Sequence, residues 1–288
     1  MNGKVIDDSL PSKRPIVSNE DLKAQFTQDY ITDIQTKYDG PTEVIDLPSK
    51  GYFYPEGHPL ADGKIEIKYM TAKEEDILSS TTLIKQGVVI DKLLQSLIIT
   101  KVKFDDILMI DKNAIFIAAR VLAYGNDYPV EITCPACQSK QTEHIDLSNF
   151  EEKQIDWSQF EKGKTTFDFT LPVTKKVITL KFLTHGDDKQ INENLKAAKK
   201  ASKMTGVDPE LTTRLRQMIV AIDGNPDKAE IHKLSENMLS RDSLALREYM
   251  RSITPDIDTT FHHECGNCGH ETPKMAMPIN VNFFWPGV

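Results

Sequence analysis

The chain has 288 residues, with 43 Asp and Glu against 35 Lys and Arg, a net charge of −8 and 39% apolar residues. That length allows a sizeable core and two sub-structures, and no apolar run approaches the roughly 18 residues that a membrane span needs. The negative charge argues against a broad nucleic-acid footprint, which needs a basic surface.

Residues 1–18 are polar, with Pro11 and Pro15, and lack the apolar stretch of a signal peptide. They read as a flexible or partner-ordered arm. A helix is predicted over about 19–37, capped by Ser18 or Asn19 and stopped by Asp39-Gly40-Pro41. Residues 42–60 are extended and turn-rich. Tyr52, Phe53 and Tyr54 there either plug the loop onto the core or anchor a partner. Residues 64–69 alternate with period two, as a half-buried strand does. Thr71 and Glu74 have capping-box spacing and open a helix to about 80. Asp91 is placed to cap a helix over 92–98, and Asp105 or Asp111 to start a long apolar helix that stops at Tyr124-Gly125. Strands are predicted over 166–171 and 177–182. Helices follow over 188–204, over 209–219 with Asp208 as cap, over 227–234 and over 240–253, where Thr254-Pro255 ends the last. The apolar tail, with Phe283, Phe284 and Trp285, either packs back on the core or docks on another subunit.

All four cysteines fall in two pairs, Cys134-Pro135-Ala136-Cys137 and Cys265-Gly266-Asn267-Cys268. A two-residue gap lets one tight turn aim both sulfurs at one metal, and a second turn completes a tetrahedral Zn²⁺ shell. Strand-like stretches precede the pairs (128–133 and 258–263) and others follow them (141–147 and 272–281), so each pair is expected at the tip of a hairpin. Two such knuckles make a zinc ribbon, although the separation far exceeds the usual ~15–20 residues. Four protein ligands close the coordination shell, which makes the site structural and not catalytic. The alternatives are a Cys₄ iron–sulfur cluster, four independent reduced cysteines and a redox dithiol. His144, His262, His263 and His270 flank the knuckles as exposed hairpin residues or supporting donors.

These elements make an α+β chain of helices and small antiparallel sheets. It divides into an N-terminal arm and helix (1–40), an α+β core with the aromatic loop (41–127), ribbon halves with the tail (128–147 and 256–288), and an inserted hairpin with a helical subdomain (148–255). No phosphate-binding glycine loop, Gly-x-Ser-x-Gly elbow or His-Glu-x-x-His motif occurs, and no acid/base pair stands out. The reading is a non-enzyme without a small-molecule substrate. A zinc-ribbon nucleic-acid binder, and an enzyme with a structural zinc such as a thiol–disulfide oxidoreductase, are the competitors.

One succession carries a resemblance: Leu47-Pro48-Ser49-Lys50-Gly51-Tyr52-Phe53-Tyr54-Pro55, a strand, Met70-Thr71-Ala72-Lys73-Glu74-Glu75-Asp76-Ile77-Leu78, Lys92-Leu93-Leu94, the helix end Arg120-Val121-Leu122-Ala123-Tyr124-Gly125, and the Cys134 knuckle. It resembles the T4-type bacteriophage baseplate proteins associated with the central hub and its assembly. The resemblance is specific over about 40–150 and looser beyond. It implies a non-enzymatic part of a phage tail, or a factor that builds its hub. Its place would be the virion baseplate, reached from the host cytoplasm during assembly. Its partners would be baseplate and hub proteins and the tape-measure protein.

Overall fold

Alternating apolar residues and glycine-rich turns put the first strands where the sequence suggests. In the computed structural model, which describes residues 38–201, 209–278 and 283–284, β1 (Thr42–Asp46) pairs antiparallel with β2 (Lys64–Lys68), with Ile45 opposite Ile65. From Gly40 on, the described residues form one compact unit. The arm and helix expected over 1–37 lie outside the described residues, as do Met204, Asp208 and Trp285.

The β1–β2 loop is folded tightly on itself. Gly51 and Gly63 take φ of +76° and +71°, and a Cβ on Gly51 would stand 2.1 Å from the Ala61 carbonyl oxygen. Helices α1 (Ala72–Ser79), α2 (Thr81–Gln86) and α3 (Val89–Leu97) follow, then α4 (Met109–Tyr124). β3 (Asp127–Thr133) and β4 (Lys140–Asp146) make the first knuckle hairpin, in register from Asp127↔Asp146 to Thr133↔Lys140. Burial alternates along β3, so Tyr128, Val130 and Ile132 face inward.

Beyond a loop come β5 (Thr166–Thr170) and β6 (Val177–Lys181), then α5 (His185–Ala201) and α6 (Glu210–Met218). β7 (Ile219–Ile222) joins β6 to complete a three-stranded sheet, order β5-β6-β7. α7 (Lys228–Asn237), α8 (Ser240–Ile253), β8 (Thr260–Glu264) and β9 (Glu271–Ala276) finish the chain, β8 and β9 forming the second knuckle hairpin. The described residues therefore form an α+β fold of eight helices and four small antiparallel sheets.

Local departures from the expected elements have tertiary causes. Asp91 does not cap its helix, which starts earlier at Val89; its carboxylate instead takes the Lys112 ammonium at 2.6 Å. The helix over 209–219 stops one residue short, because Ile219 pairs with Leu180 of β6. Asp111 is not a cap but sits inside the first turn of α4, fully buried.

The second part of the chain repeats the succession of the first. Leu47-Pro48 leaves β1 and Leu171-Pro172 leaves β5. The Asp111 carboxylate accepts from the Ser49 N–H (3.0 Å) and hydroxyl (2.7 Å) just beyond. Asp242 accepts from the Val173 N–H (2.7 Å) and the Thr174 hydroxyl (2.8 Å) at the matching place. Lys68 at the end of β2 pairs with Glu74 at 2.8 Å across Thr71, and Lys181 at the end of β6 pairs with Asp187 at 2.8 Å across Thr184. The acidic partners also accept from the Thr71 and Thr184 N–H groups, at 3.0 and 3.1 Å. α3 runs straight into Ile98, which bridges to Ile67 of β2; α6 runs straight into Ile219, opposite Leu180 of β6. α4 and α8 each follow a leucine, Leu108 and Leu239, with the same φ of −62° and ψ of 141°, and each carries its buried aspartate three residues after that leucine. Each ends in a Cys-x-x-Cys hairpin. The stretch expected as an insertion, together with the second knuckle, thus carries this same plan.

Candidate metal centre

Both knuckles are built by the same backbone device. The Cys134 N–H donates to the Ser139 carbonyl (2.9 Å) and the Gln138 N–H to the Cys134 carbonyl (3.0 Å). The Cys265 N–H donates to His270 (3.0 Å) and the Gly269 N–H to Cys265 (2.8 Å). The fourth residue after the first cysteine is left-handed in each, Gln138 at φ 61° and Gly269 at φ 68°. The strands on either side carry these turns toward one another, and Gln141 ties them together. Its amide oxygen accepts from the Gly266 N–H (3.2 Å), while its nitrogen donates to Glu143 (2.7 Å).

The four sulfurs converge. Cys134 Sγ lies 3.8 Å from Cys268 Sγ and Cys137 Sγ 3.7 Å from Cys265 Sγ, and all four lie within 4.8 Å of one another. A regular tetrahedron with bonds of about 2.3 Å has edges of about 3.8 Å. Two of the six sulfur pairs therefore stand at the separation that one thiolate-bound ion requires, and no carboxylate or imidazole joins the cluster among the described residues. Cys134 and Cys265 are buried, and Cys137 and Cys268 are exposed.

Donors around the sulfurs favour thiolate. Ser139 Oγ stands 3.0 Å from Cys137 Sγ and 3.4 Å from Cys265 Sγ, and the Asn267 amide donates to Cys137 Sγ at 3.6 Å. The Ser139 hydroxyl first, then Asn267, brings Cys137 down to about 5; Ser139 likewise lowers Cys265. The His270 backbone N–H works to lower Cys268, but hydrogen bonding with the other thiols and burial outweigh it and push that group up to about 12. Without an ion the cluster thus keeps protons that metal binding must release.

The histidines stand back from the sulfurs. His263 is buried with Nδ1 3.0 Å from Glu143 Oε1, which bolts one hairpin to the other, and His144 meets Asp127 at 3.0 Å on the exposed face.

The aromatic residues singled out in the sequence are placed as follows. Phe53 is 4% exposed and packs on Phe182 and Phe160, with ring centroids 4.5 and 5.0 Å away. Tyr54 is buried; its hydroxyl donates to Asp111 at 2.8 Å and accepts from the Leu108 N–H at 3.1 Å. Tyr52 is half-buried against Trp157 at 4.7 Å. Phe283 and Phe284 are both buried; Phe283 stacks on Phe116 at 4.7 Å, and Phe284 meets the same ring edge-on. These rings fill the chain's own core, while Trp285 lies outside the described residues.

Asp111, Asp242 and the Lys68–Glu74 pair organise the fold but do not stand out in the sequence as a set. The available signal is the recurrence of Leu-Pro, of Lys-x-x-Thr-x-x-acid and of Leu-x-x-Asp in the two parts of the chain.

A family model described as T4 bacteriophage base plate protein matches residues 42–285, and so runs through both repeated parts and both knuckles. No curated protein matches, and no solved structure does.

Proposed function

This chain belongs to the T4 bacteriophage base plate protein family, and on that premise we propose that it serves as a structural or assembly component of the tail baseplate at its central hub. It acts through protein–protein contacts, with hub and baseplate proteins and the tape-measure protein as partners, and it catalyses no reaction. Its final place is the virion tail, reached from the host cytoplasm. No described helix is long and apolar enough to cross a membrane.

In the same reading, Cys134, Cys137, Cys265 and Cys268 hold one structural Zn²⁺. The observation that carries it is the sulfur spacing of 3.7–3.8 Å across the two knuckles. An iron–sulfur cluster would put several metal atoms between the thiolates and spread them wider. A closed all-cysteine shell leaves no position for substrate and supplies folding free energy instead. The nucleic-acid alternative draws no support from a net charge of −8.

Native mass spectrometry with elemental analysis tests the metal. One zinc per chain is expected; iron with sulfide, or no metal and four freely alkylated thiols, would overturn it. The baseplate role is tested separately, by co-purification with baseplate proteins from infected cells and by looking for tails that fail to assemble when the protein is absent.

A further inference from the structure

One join between the repeated parts is made once and has an unused counterpart. The entry to α4 runs beside the entry to α5 as a short antiparallel bridge. The Met109 N–H donates to the Leu183 carbonyl (2.9 Å), the His185 N–H donates to the Ile107 carbonyl (2.8 Å), and Leu108 stands opposite Thr184. Leu108 is thereby 4% exposed.

In the repeat, Leu239 corresponds to Leu108, with identical backbone angles ahead of an Asp-bearing helix. Thr71 corresponds to Thr184, each between a strand-end lysine and its acidic partner. Neither segment is bridged among the described residues. Leu239 is 48% exposed, and Thr71 and Ala72 are exposed too. Leu244 in the second turn of α8 and Val173, whose N–H is held by Asp242 in the first, add to the exposed apolar surface there.

We propose that the 238–240 segment of one copy pairs with the 70–72 segment of a second copy of this chain, Leu239 opposite Thr71, repeating between chains the join that Leu108 and Thr184 make within one. The partner is a second copy because the chain already shows which backbone each edge accepts. Pairing of extended backbone supplies the hydrogen bonds, and the exposed apolar side chains supply burial. Because the two edges differ, the contact is head-to-tail and leaves each copy with one further edge, so it builds rings or filaments. The proposal does not depend on the metal.

The test is self-association of the full chain, by native mass spectrometry and sedimentation equilibrium over a concentration series. Leu239→Asp places a good cap residue at a cap position and Ala72→Pro places proline at a first helical position, so both variants keep their helices. Circular dichroism and metal content check each fold. The wild type is expected to associate, and each variant to weaken association at least about tenfold, the effect of losing roughly 1.4 kcal/mol. Mixing the variants should restore a dimer and nothing larger, since one keeps a sound 70–72 edge and the other a sound 238–240 edge. A wild type that stays monomeric, association that neither variant changes, or a mixture no better than its components would overturn the proposal. So would cross-links showing that residues 1–37 of the same copy occupy Leu239.

Discussion

Leu108 and Leu239 hold the same place in the two repeated parts with the same φ and ψ, yet one is 4% exposed and the other 48%. The loops beside them differ in the same direction. The first part carries a long aromatic loop that buries Phe53 and Tyr54 and covers Ser49, while the second has a short turn whose matching Val173 is 41% exposed. Local backbone is therefore set by the repeated residues, whereas burial is set by what each part meets. The first part is covered by its own loop and by the second. The second part keeps its equivalent surface open.

The four-cysteine cluster is where the two parts contribute alike, and breaking it should have the largest effect. Cys134→Ser and Cys265→Ser are each expected to abolish stoichiometric metal binding and lower the melting temperature steeply, by similar amounts. The apparent binding energy of a structural zinc is about 10–16 kcal/mol in small peptides. Calorimetry with and without a chelator measures this, and a variant that melts like the wild type would remove the metal from the account of stability.

Phe53→Ala against Val173→Ala contrasts the two loops directly. Removing a buried ring costs about 3–5 kcal/mol, while trimming an exposed valine stays within about 0.5 kcal/mol. Denaturant unfolding of both variants checks the ratio. Equal losses would mean that the short turn is covered in solution.

The lysine pairs sharpen the contrast further. Lys68 and Glu74 are 5% and 0% exposed in their side chains, while Lys181 and Asp187 are 32% and 10% exposed. Lys68→Met leaves Glu74 buried and should cost about 3–5 kcal/mol. Lys181→Met should cost less, about 1–3 kcal/mol, since the Gln217 amide (2.7 Å) and the Thr184 N–H (3.1 Å) still donate to Asp187. Both carboxyls must overcome burial, and hydrogen bonds from lysine and threonine bring them below the usual range. Their stabilisation is present above pH ~4 and lost as pH falls through their depressed values.

The two buried aspartates give the finest test, because they shift oppositely. Burial raises Asp111 above the usual range and outweighs its Ser49 and Tyr54 donors. At Asp242 burial acts in the same direction, but the Val173 and Thr174 donors prevail and lower it. The raised group favours the fold at low pH, and that contribution fades as pH rises through its folded value. The lowered group favours the fold above pH ~4 and loses that contribution in acid. Asp111→Asn should therefore be tolerated better as pH rises. Asp242→Asn should cost about 1–3 kcal/mol at neutral pH, its amide nitrogen facing either the Val173 N–H or the Thr174 N–H and hydroxyl, and progressively less in acid. Melting curves of both variants from acid to neutral pH decide it; parallel pH profiles would break the distinction.

Much of the local structure was legible in the sequence. Alternation placed β2, β5 and β6 within a residue or so, the Thr71–Glu74 spacing located the start of α1, and Gly125 marked the end of α4. Asp227 was readable as a helix start, and its carboxylate accepts from the Ala229 N–H at 2.9 Å. β7 was not legible, because Ile219 to Ile222 continue an apolar helical pattern and become a strand only where β6 offers an edge. The repeat was hidden as well. Its matching residues share roles more than identities, as with Glu74 and Asp187, and α7 changes the spacing between them.

The sequence by itself determined the α+β class, the turns that aim each cysteine pair, and the residue types that a thiolate metal site uses, since these depend on neighbours only a few positions apart. Only the tertiary structure decided that the sulfurs of residues 134 and 268 come within 3.8 Å, that Phe283 and Phe284 turn inward, and that Leu108 is covered while Leu239 is not. The reason is physical: hydrogen-bonded turns and side-chain alternation are encoded over a few residues. Burial and metal geometry depend on surfaces brought together from distant parts of the chain, and no local pattern reports that distance.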